Sequence, residues 1–199
     1  IPCRLLSGLK ITIRSIVTFS GLLIGGGFLQ ADYVFREEFD HILAALTLPN
    51  RLAIQVSLCT GLRISDVLNL RTDMVKSKFT VTEMKTGKKR TVRMGKCLID
   101  ELLKIAGKIY VFENRLDYRK PRTRQAVWKD IKRAARAFRV PNNLNVSCHS
   151  ARKIYAVGQF KRTCDISRVK TLLNHSDESV TMIYAMADIL TERKLCKKT

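Results

Sequence analysis

From Tyr33 onward, apolar and polar positions alternate mainly with a helical period. Within 35–46, Phe39, Ile42, Leu43 and Leu46 fall three or four residues apart, and Glu37 and Glu38 place negative charge where a helix amino terminus favours it. Pro49 is expected to end this helix, and a second follows over 50–59. Thr60-Gly61 interrupts the pattern before 64–70 resumes it. Arg63 thus falls at a helix–turn–helix junction, with its guanidinium free to point out of the core. A period of two over 79–83 and 90–93, on either side of Thr86-Gly87, predicts a β-hairpin with Lys85 at or near its tip.

Helical spacing returns over 96–106 and over 122–138, where Val127, Trp128, Ile131, Ala135 and Phe138 form the apolar stripe. An asparagine-rich connector, 141–146, leads to three closing helices. One begins at His149 and runs to about Arg162, one is capped by Asp165 and reaches about Leu173, and one covers 178–183. The expected fold class is mainly α with a small antiparallel β-hairpin or sheet, one domain over 33–184. In the tail, 185–199, Met186, Ile189 and Leu190 share a helical face, and so short a stripe needs a partner surface to be stable.

Charge narrows the class of partner. The chain has 37 Lys and Arg against 17 Asp and Glu, a formal +20 over 199 residues. That length supports one good core, and that charge calls for a polyanion. Nucleic acid is preferred to a membrane because the cations are scattered through folded-looking segments rather than gathered in one juxtamembrane cluster. On 122–138 the face opposite the apolar stripe carries Arg124, Lys129, Lys132, Arg133 and Arg136, read as lying along DNA, and Lys88 and Lys89 beside the hairpin turn join that set. The rival is a merely solvated basic face.

Six cysteines without a C-x-x-C pair or zinc-like spacing suit free thiols in a reducing cytoplasm. Cys148 beside His149 reads as packing rather than as a nucleophilic dyad. Near the start, Lys10 and Arg14 precede an uncharged stretch, 15–30, containing Gly25-Gly26-Gly27. It looks superficially like a signal peptide or anchor but is too short and glycine-interrupted for a transmembrane helix. Residues 1–32 are therefore expected to be a linker or the remnant of a preceding domain.

The candidate chemistry lies in Arg63, Lys85, His149, Arg152, His175 and Tyr184, each within a short local motif. Two guanidiniums, an ammonium, two imidazoles and a phenol make a metal-free set for breaking and rejoining a phosphodiester. The phosphorane transition state needs positive charge and donors aimed at its oxygens, which arginine forks supply best. His149 and Arg152, three residues apart, share a helix face. Alone, each fragment is weak evidence, since H-x-x-R pairs and lone histidines are common.

In this order, however, the motifs resemble the catalytic domain of the tyrosine recombinase, or phage integrase, family. The matching stretches are Thr60-Gly-Leu-Arg-Ile-Ser-Asp-Val-Leu-Asn-Leu70, Glu83-Met-Lys-Thr-Gly87, His149-Ser-Ala-Arg152, Leu172-Leu-Asn-His-Ser-Asp177 and Thr181-Met-Ile-Tyr184, spread over about 33–190. The resemblance implies a catalytic domain over 33–184 and site-specific DNA recombination, in integration or excision of a phage or mobile element. It implies that Tyr184 attacks the scissile phosphate to form a 3′-phosphotyrosyl bond. Arg63 and Arg152 would hold the nonbridging oxygens, Lys85 would protonate the leaving 5′-oxygen, His149 would assist proton transfer at Tyr184, His175 would donate to the phosphate, and Asp66 would orient the site. Since the bond energy is kept in the phosphotyrosine, neither ATP nor a metal ion is required, and no cofactor is expected.

The same resemblance implies a homo-tetramer on DNA, a monomer free in solution, a tail exchanged between protomers, and a place in the cytoplasm, on the nucleoid when DNA is bound. Three departures stand out. Asn174 replaces the usual Gly before the second histidine, a position where Asn tolerates a left-handed backbone. Ser150-Ala151 replaces the commoner acid–Leu pair, and the amino-terminal clamp domain of full-length members cannot fit in thirty residues. Two rival functions are type IB topoisomerase-like relaxation and a decayed DNA-binding remnant.

Overall fold

The structure, a computed structural model, describes residues 31–138 and 144–196. The anchor-like stretch, nearly all of the expected linker over 1–32 and part of the asparagine-rich connector lie outside the described residues. Helix α1 (Arg36–Ala44) buries Phe39, Ile42 and Leu43 as its period requires. Pro49 does not end it. It occupies the first turn of α2 (Leu48–Thr60), where a missing N–H costs nothing because that group has no intrahelical acceptor. α2 buries Leu52, Ala53, Ile54, Val56, Ser57 and Leu58, and runs through the core. It stops at Gly61, which is left-handed at φ 68° and so close to the Tyr155 ring that a Cβ would stand 2.4 Å from it. Only glycine satisfies both demands.

Helix α3 (Ile64–Leu68) follows, with Arg63 at its N-cap. β1 (Lys78–Thr82) and β2 (Lys89–Arg93) pair antiparallel with Phe79 opposite Val92 and Val81 opposite Arg90. Phe79, Val81 and Val92 turn into the core, while Lys78, Thr80, Thr91 and Arg93 face solvent. α4 (Lys96–Ile105) buries Leu102, and α5 (Arg124–Ala137) buries Val127, Ile131, Ala134 and Ala135. The expected stripe on α5 is corrected at two places: Trp128 and Phe138 are 46% and 48% exposed. Trp128 is one step of 100° away from Val127 and rides outward beneath the Lys132 ammonium, and Phe138 stacks on His41 at 6.0 Å.

The closing helices are α6 (Cys148–Thr163), α7 (Ile166–Leu173) and α8 (Glu178–Ala185). A Ser147–Ser150 capping box starts α6, and the Asp165 and Asp177 carboxylates accept amide hydrogens at the starts of α7 and α8. A satellite core of Ala156, Val169 and Leu173, with Tyr155, Phe160 and Tyr184 packed on it, ties these helices together. The tail forms α9 (Ala187–Cys196) and sits on its own domain. Its docked face is Ala187, Asp188 and Thr191: Lys161 Nζ lies 2.6 Å from Asp188 Oδ2, and Thr191 Oγ1 donates to the Tyr33 carbonyl at 3.4 Å. Ile189, expected on the docking stripe, is 44% exposed. Among the described residues no helix is long and apolar enough to cross a membrane.

Asp130 joins α5 to the start of α2. Its carboxylate accepts from Asn50 Nδ2 at 2.7 Å, the Thr47 amide and hydroxyl at 2.9 Å each, and Arg133 Nη2 at 2.5 Å. Burial raises its pKa, but these hydrogen bonds outweigh burial and hold it down at about 2. A depressed carboxylate stabilises the fold above the ordinary value near 3.8 and ceases to do so as the pH falls through about 2. Asp130→Asn should therefore lower unfolding free energy by about 2 kcal/mol at pH 7, measured by denaturant titration, with the difference vanishing toward pH 2.

Candidate active site

The fold brings distant segments to one pocket of about 560 Å³. Arg63, Lys85, His149, Arg152, His175 and Tyr184 all line it, together with Asp66 and Arg124. Each arrives from a different local device. Arg63 is delivered by the left-handed turn at Gly61, Lys85 by the turn between β1 and β2, His149 and Arg152 by the first turns of α6, His175 by the loop after α7, and Tyr184 by the last turn of α8.

Arg63 does not hang free. Its Nη1 donates at 2.5 Å to Glu83 Oε2, a carboxylate with no exposed surface, which also accepts from Thr86 Oγ1 at 3.0 Å. Arg90 Nη1 stands 3.8 Å from the other oxygen of Glu83 and anchors through Nη2 to the Thr60 carbonyl. Glu83 thus fixes the arginine and the turn that carries Lys85 with one group. Asp66 supports the same turn, since its Oδ1 accepts the Met84 amide at 2.9 Å. Burial pushes its pKa above the ordinary carboxylate value against that hydrogen bond. Lys85 itself is exposed at the pocket edge.

Arg152 is 2% exposed, and its fork spans two elements: Nη1 donates to the Gly61 carbonyl at 2.5 Å and Nη2 to the Leu173 carbonyl at 2.6 Å. Burial and the neighbouring Arg63 charge both lower its pKa. A guanidinium has five donors, so this pinning leaves others for an anion in the pocket. Asn174, immediately after Leu173, is left-handed at φ 55°, as its tolerance for that region predicts.

Tyr184 packs edge to face with His175 at 5.2 Å between ring centroids. Burial raises the phenol's pKa, opposed by the positive fields of Arg152 and Arg63, so the resting group is protonated. His175 Nδ1 is 3.1 Å from Thr181 Oγ1, and burial together with Arg152 lowers its pKa to about 4. His149 is lowered by burial and by Arg152 and Arg124. Both imidazoles are neutral near pH 7 and can exchange protons rather than repel the arginines. The Cys148 thiol is buried and pushed up to about 11, which suits packing and not nucleophilic work.

Sequence reasoning missed Glu83, Arg90 and Thr181. A signal existed for Glu83: it continues the inward alternation of Phe79 and Val81, and an acid at an inward position demands a cation. Lys88, Lys89, Lys129, Lys132, Arg133 and Arg136 lie outside the pocket lining. Lys88, Lys89, Lys129 and Arg136 are exposed. Two are engaged within the fold: Lys132 Nζ donates to Asn145 Oδ1 at 2.7 Å, and Arg133 bonds Asp130 and the Ala45 carbonyl.

This arrangement can be set beside known proteins. The Phage integrase family matches residues 34–189. The probable integrase/recombinase YoeC of Bacillus subtilis is 32% identical over 144 residues, 69% of this chain and 77% of that protein. The tyrosine recombinase XerD of Staphylococcus saprophyticus is 27% identical over 180 residues, 79% of this chain and 60% of that protein, so the chain spans about three fifths of that relative's length. Among solved structures, a lambda integrase dimer bound to a COC′ core site matches with a TM-score of 0.69 at 20% identity, over 80% of this chain and 61% of that one.

Proposed function

The chain belongs to the phage integrase family, and from that premise we propose that it is the catalytic part of a tyrosine-type site-specific recombinase acting on double-stranded DNA, in integration or excision of a phage or mobile element. The observation that carries the proposal is the convergence of the phenol, both arginines, the lysine and both imidazoles on one pocket. Tyr184 Oη attacks phosphorus and forms the P–O bond of a 3′-phosphotyrosine, its proton passing to His149. The bond to the 5′-oxygen breaks, and Lys85 supplies that oxygen with a proton. Arg63 and Arg152 neutralise the nonbridging oxygens while the charge grows, and His175 donates a further hydrogen bond. The released 5′-hydroxyl of a partner strand reverses the step in trans. The bond energy is conserved in the phosphotyrosine.

Exchanging two duplexes breaks four phosphodiesters and so requires four tyrosines, which makes a tetramer on DNA the working assembly and a monomer the free form. Such a protein works in the cytoplasm, on the nucleoid. The deciding experiment incubates the chain with paired-site DNA and, separately, with supercoiled single-site DNA. Strand-exchanged products support recombination. Relaxation of the single-site plasmid without exchange would replace it by a topoisomerase, and the absence of any covalent adduct by a DNA-binding remnant.

The α5 face gives a separate expectation. Affinity for any duplex should fall with salt by a logarithmic slope of about −0.9 per neutralised phosphate. Lys129→Ala with Arg136→Ala should flatten that slope by roughly two units, because these exposed cations are not engaged by Asp130 or Asn145. A slope unchanged by the double substitution identifies the face as merely solvated.

A further inference from the structure

Strand β2 points an arginine into the protein. Arg90 stands opposite Val81, on the hairpin face that also buries Phe79 and Val92, and its side chain is 9% exposed. A guanidinium cannot shed its charge there, so the fold has to compensate it. Nη2 donates to the Thr60 carbonyl and Nη1 to the Gly61 carbonyl at 3.5 Å, and the Tyr155 hydroxyl accepts from the same guanidinium. Nη1 also lies 3.8 Å from Glu83 Oε1. Glu83 is therefore held between two arginines, Arg63 at 2.5 Å on the pocket side and Arg90 behind it. Arg63 lines the pocket, whereas Glu83 and Arg90 do not. Whatever Arg90 contributes to a phosphate in the pocket passes through Glu83.

We propose that Arg90 is a positioning residue for Arg63: its charge offsets Glu83 from behind, so that Glu83 holds Arg63 in place without cancelling the positive field that Arg63 presents to a phosphate. This rests on the reading of Arg63 as a ligand of the nonbridging oxygens. A carboxylate 2.5 Å from a guanidinium orients it, but also opposes its charge as felt in the pocket, and screening by water is weak around a carboxylate with no exposed surface. One arginine with one carboxylate is a neutral pair. Two arginines with one carboxylate keep a net positive charge, and the arginine that meets the substrate stands on the pocket side. The gain falls on the chemical step, because the phosphorane carries more negative charge than the phosphodiester it forms from. Among the described residues the ion pairs of Glu83 are with these two cations, and Thr86 Oγ1 reaches it only as a neutral donor. Arg152 bonds the Gly61 and Leu173 carbonyls instead, and Lys85 is exposed at the pocket edge. The offset behind Glu83 thus falls to Arg90.

The test is a double-mutant cycle read by single-turnover cleavage of a nicked suicide duplex. The full chain carries Arg90→Gln, Glu83→Gln or both, with Arg90→Lys and Arg63→Gln as references. Arg90→Gln should slow covalent-complex formation about thirtyfold and leave duplex affinity within about threefold, while Arg90→Lys, which keeps the charge, should come within about fivefold of wild type. Glu83→Gln can still accept from Arg63 through its carboxamide oxygen and should cost about fivefold. In that background no carboxylate is left to offset. Adding Arg90→Gln should then cost no more than about twofold further, so the double variant cleaves faster than Arg90→Gln alone. If Arg90→Gln alone does not fold by circular dichroism, the double variant, free of the unbalanced carboxylate, is compared with Glu83→Gln for the same result. Losses that multiply in the double variant, an Arg90→Lys chain as slow as Arg90→Gln, or a folded Arg90→Gln cleaving at the wild-type rate overturns the proposal. Arg63→Gln cleaving at the wild-type rate overturns the reading of Arg63 as phosphate ligand, whereas a slow Arg63→Gln beside an indifferent Arg90→Gln removes only the role of Arg90.

Discussion

Tyr184→Phe should form no covalent complex with a nicked duplex while binding the same duplex within a few-fold of wild type. The substitution removes one oxygen from a ring whose packing against His175 and the satellite core is otherwise kept, so the fold and the arginine pocket should survive. Ground-state binding loses at most one hydrogen bond, worth about 1 kcal/mol. The chemical step loses its nucleophile altogether, and a fall in adduct formation of roughly 10⁴-fold or more follows, since no neighbouring group can take over. Another phenol on the same satellite core is Tyr155, whose ring is wedged against Gly61 and whose hydroxyl is engaged with Arg90. Gel-shift titration and a denaturing gel of the adduct separate the two effects. A Phe variant that still carries protease-resistant DNA would refute the assignment.

The helices were legible because each hides a stripe at a helical period, and the hairpin because Phe79, Val81 and Val92 alternate. The errors have identifiable physics. Pro49 can terminate a helix or open one, and only the geometry of the preceding turn decides which. The apolar chemistry of Trp128 suggests a core position, although its angular position beside Val127 points it outward. The six site residues could be found from local motifs because each carries a reactive group. Arg90 could not, because its importance comes from a partner that the fold supplies across 30 positions of sequence; for Glu83 the inward alternation marks a buried acid, but its partner Arg63 lies 20 positions away. The apolar residues of the tail suggest one docking stripe, yet it docks through Asp188 and Thr191, whose partners Lys161 and Tyr33 lie on other segments.

Lys85→Ala should slow cleavage of an ordinary phosphodiester by about 10² to 10⁴-fold, and should slow cleavage of a substrate with a 5′-bridging phosphorothiolate very little. A departing alkoxide needs a proton in the transition state, whereas a thiolate leaves without one, so the sulfur substrate bypasses whichever residue is the general acid. The proposed role is consistent with where Lys85 lies. It lines the pocket on a turn braced by two carboxylates, Asp66 through the Met84 amide and Glu83 through the Thr86 hydroxyl, and yet the lysine itself is exposed. Such a turn can close on bound DNA while Glu83 keeps Arg63 in register. Lys88 and Lys89 are the competing candidates, but neither lines the pocket. If Lys85→Ala loses rate equally on both substrates, the lysine holds the DNA rather than protonating it. The same pair of substrates applied to Lys88→Ala and Lys89→Ala would then locate the acid.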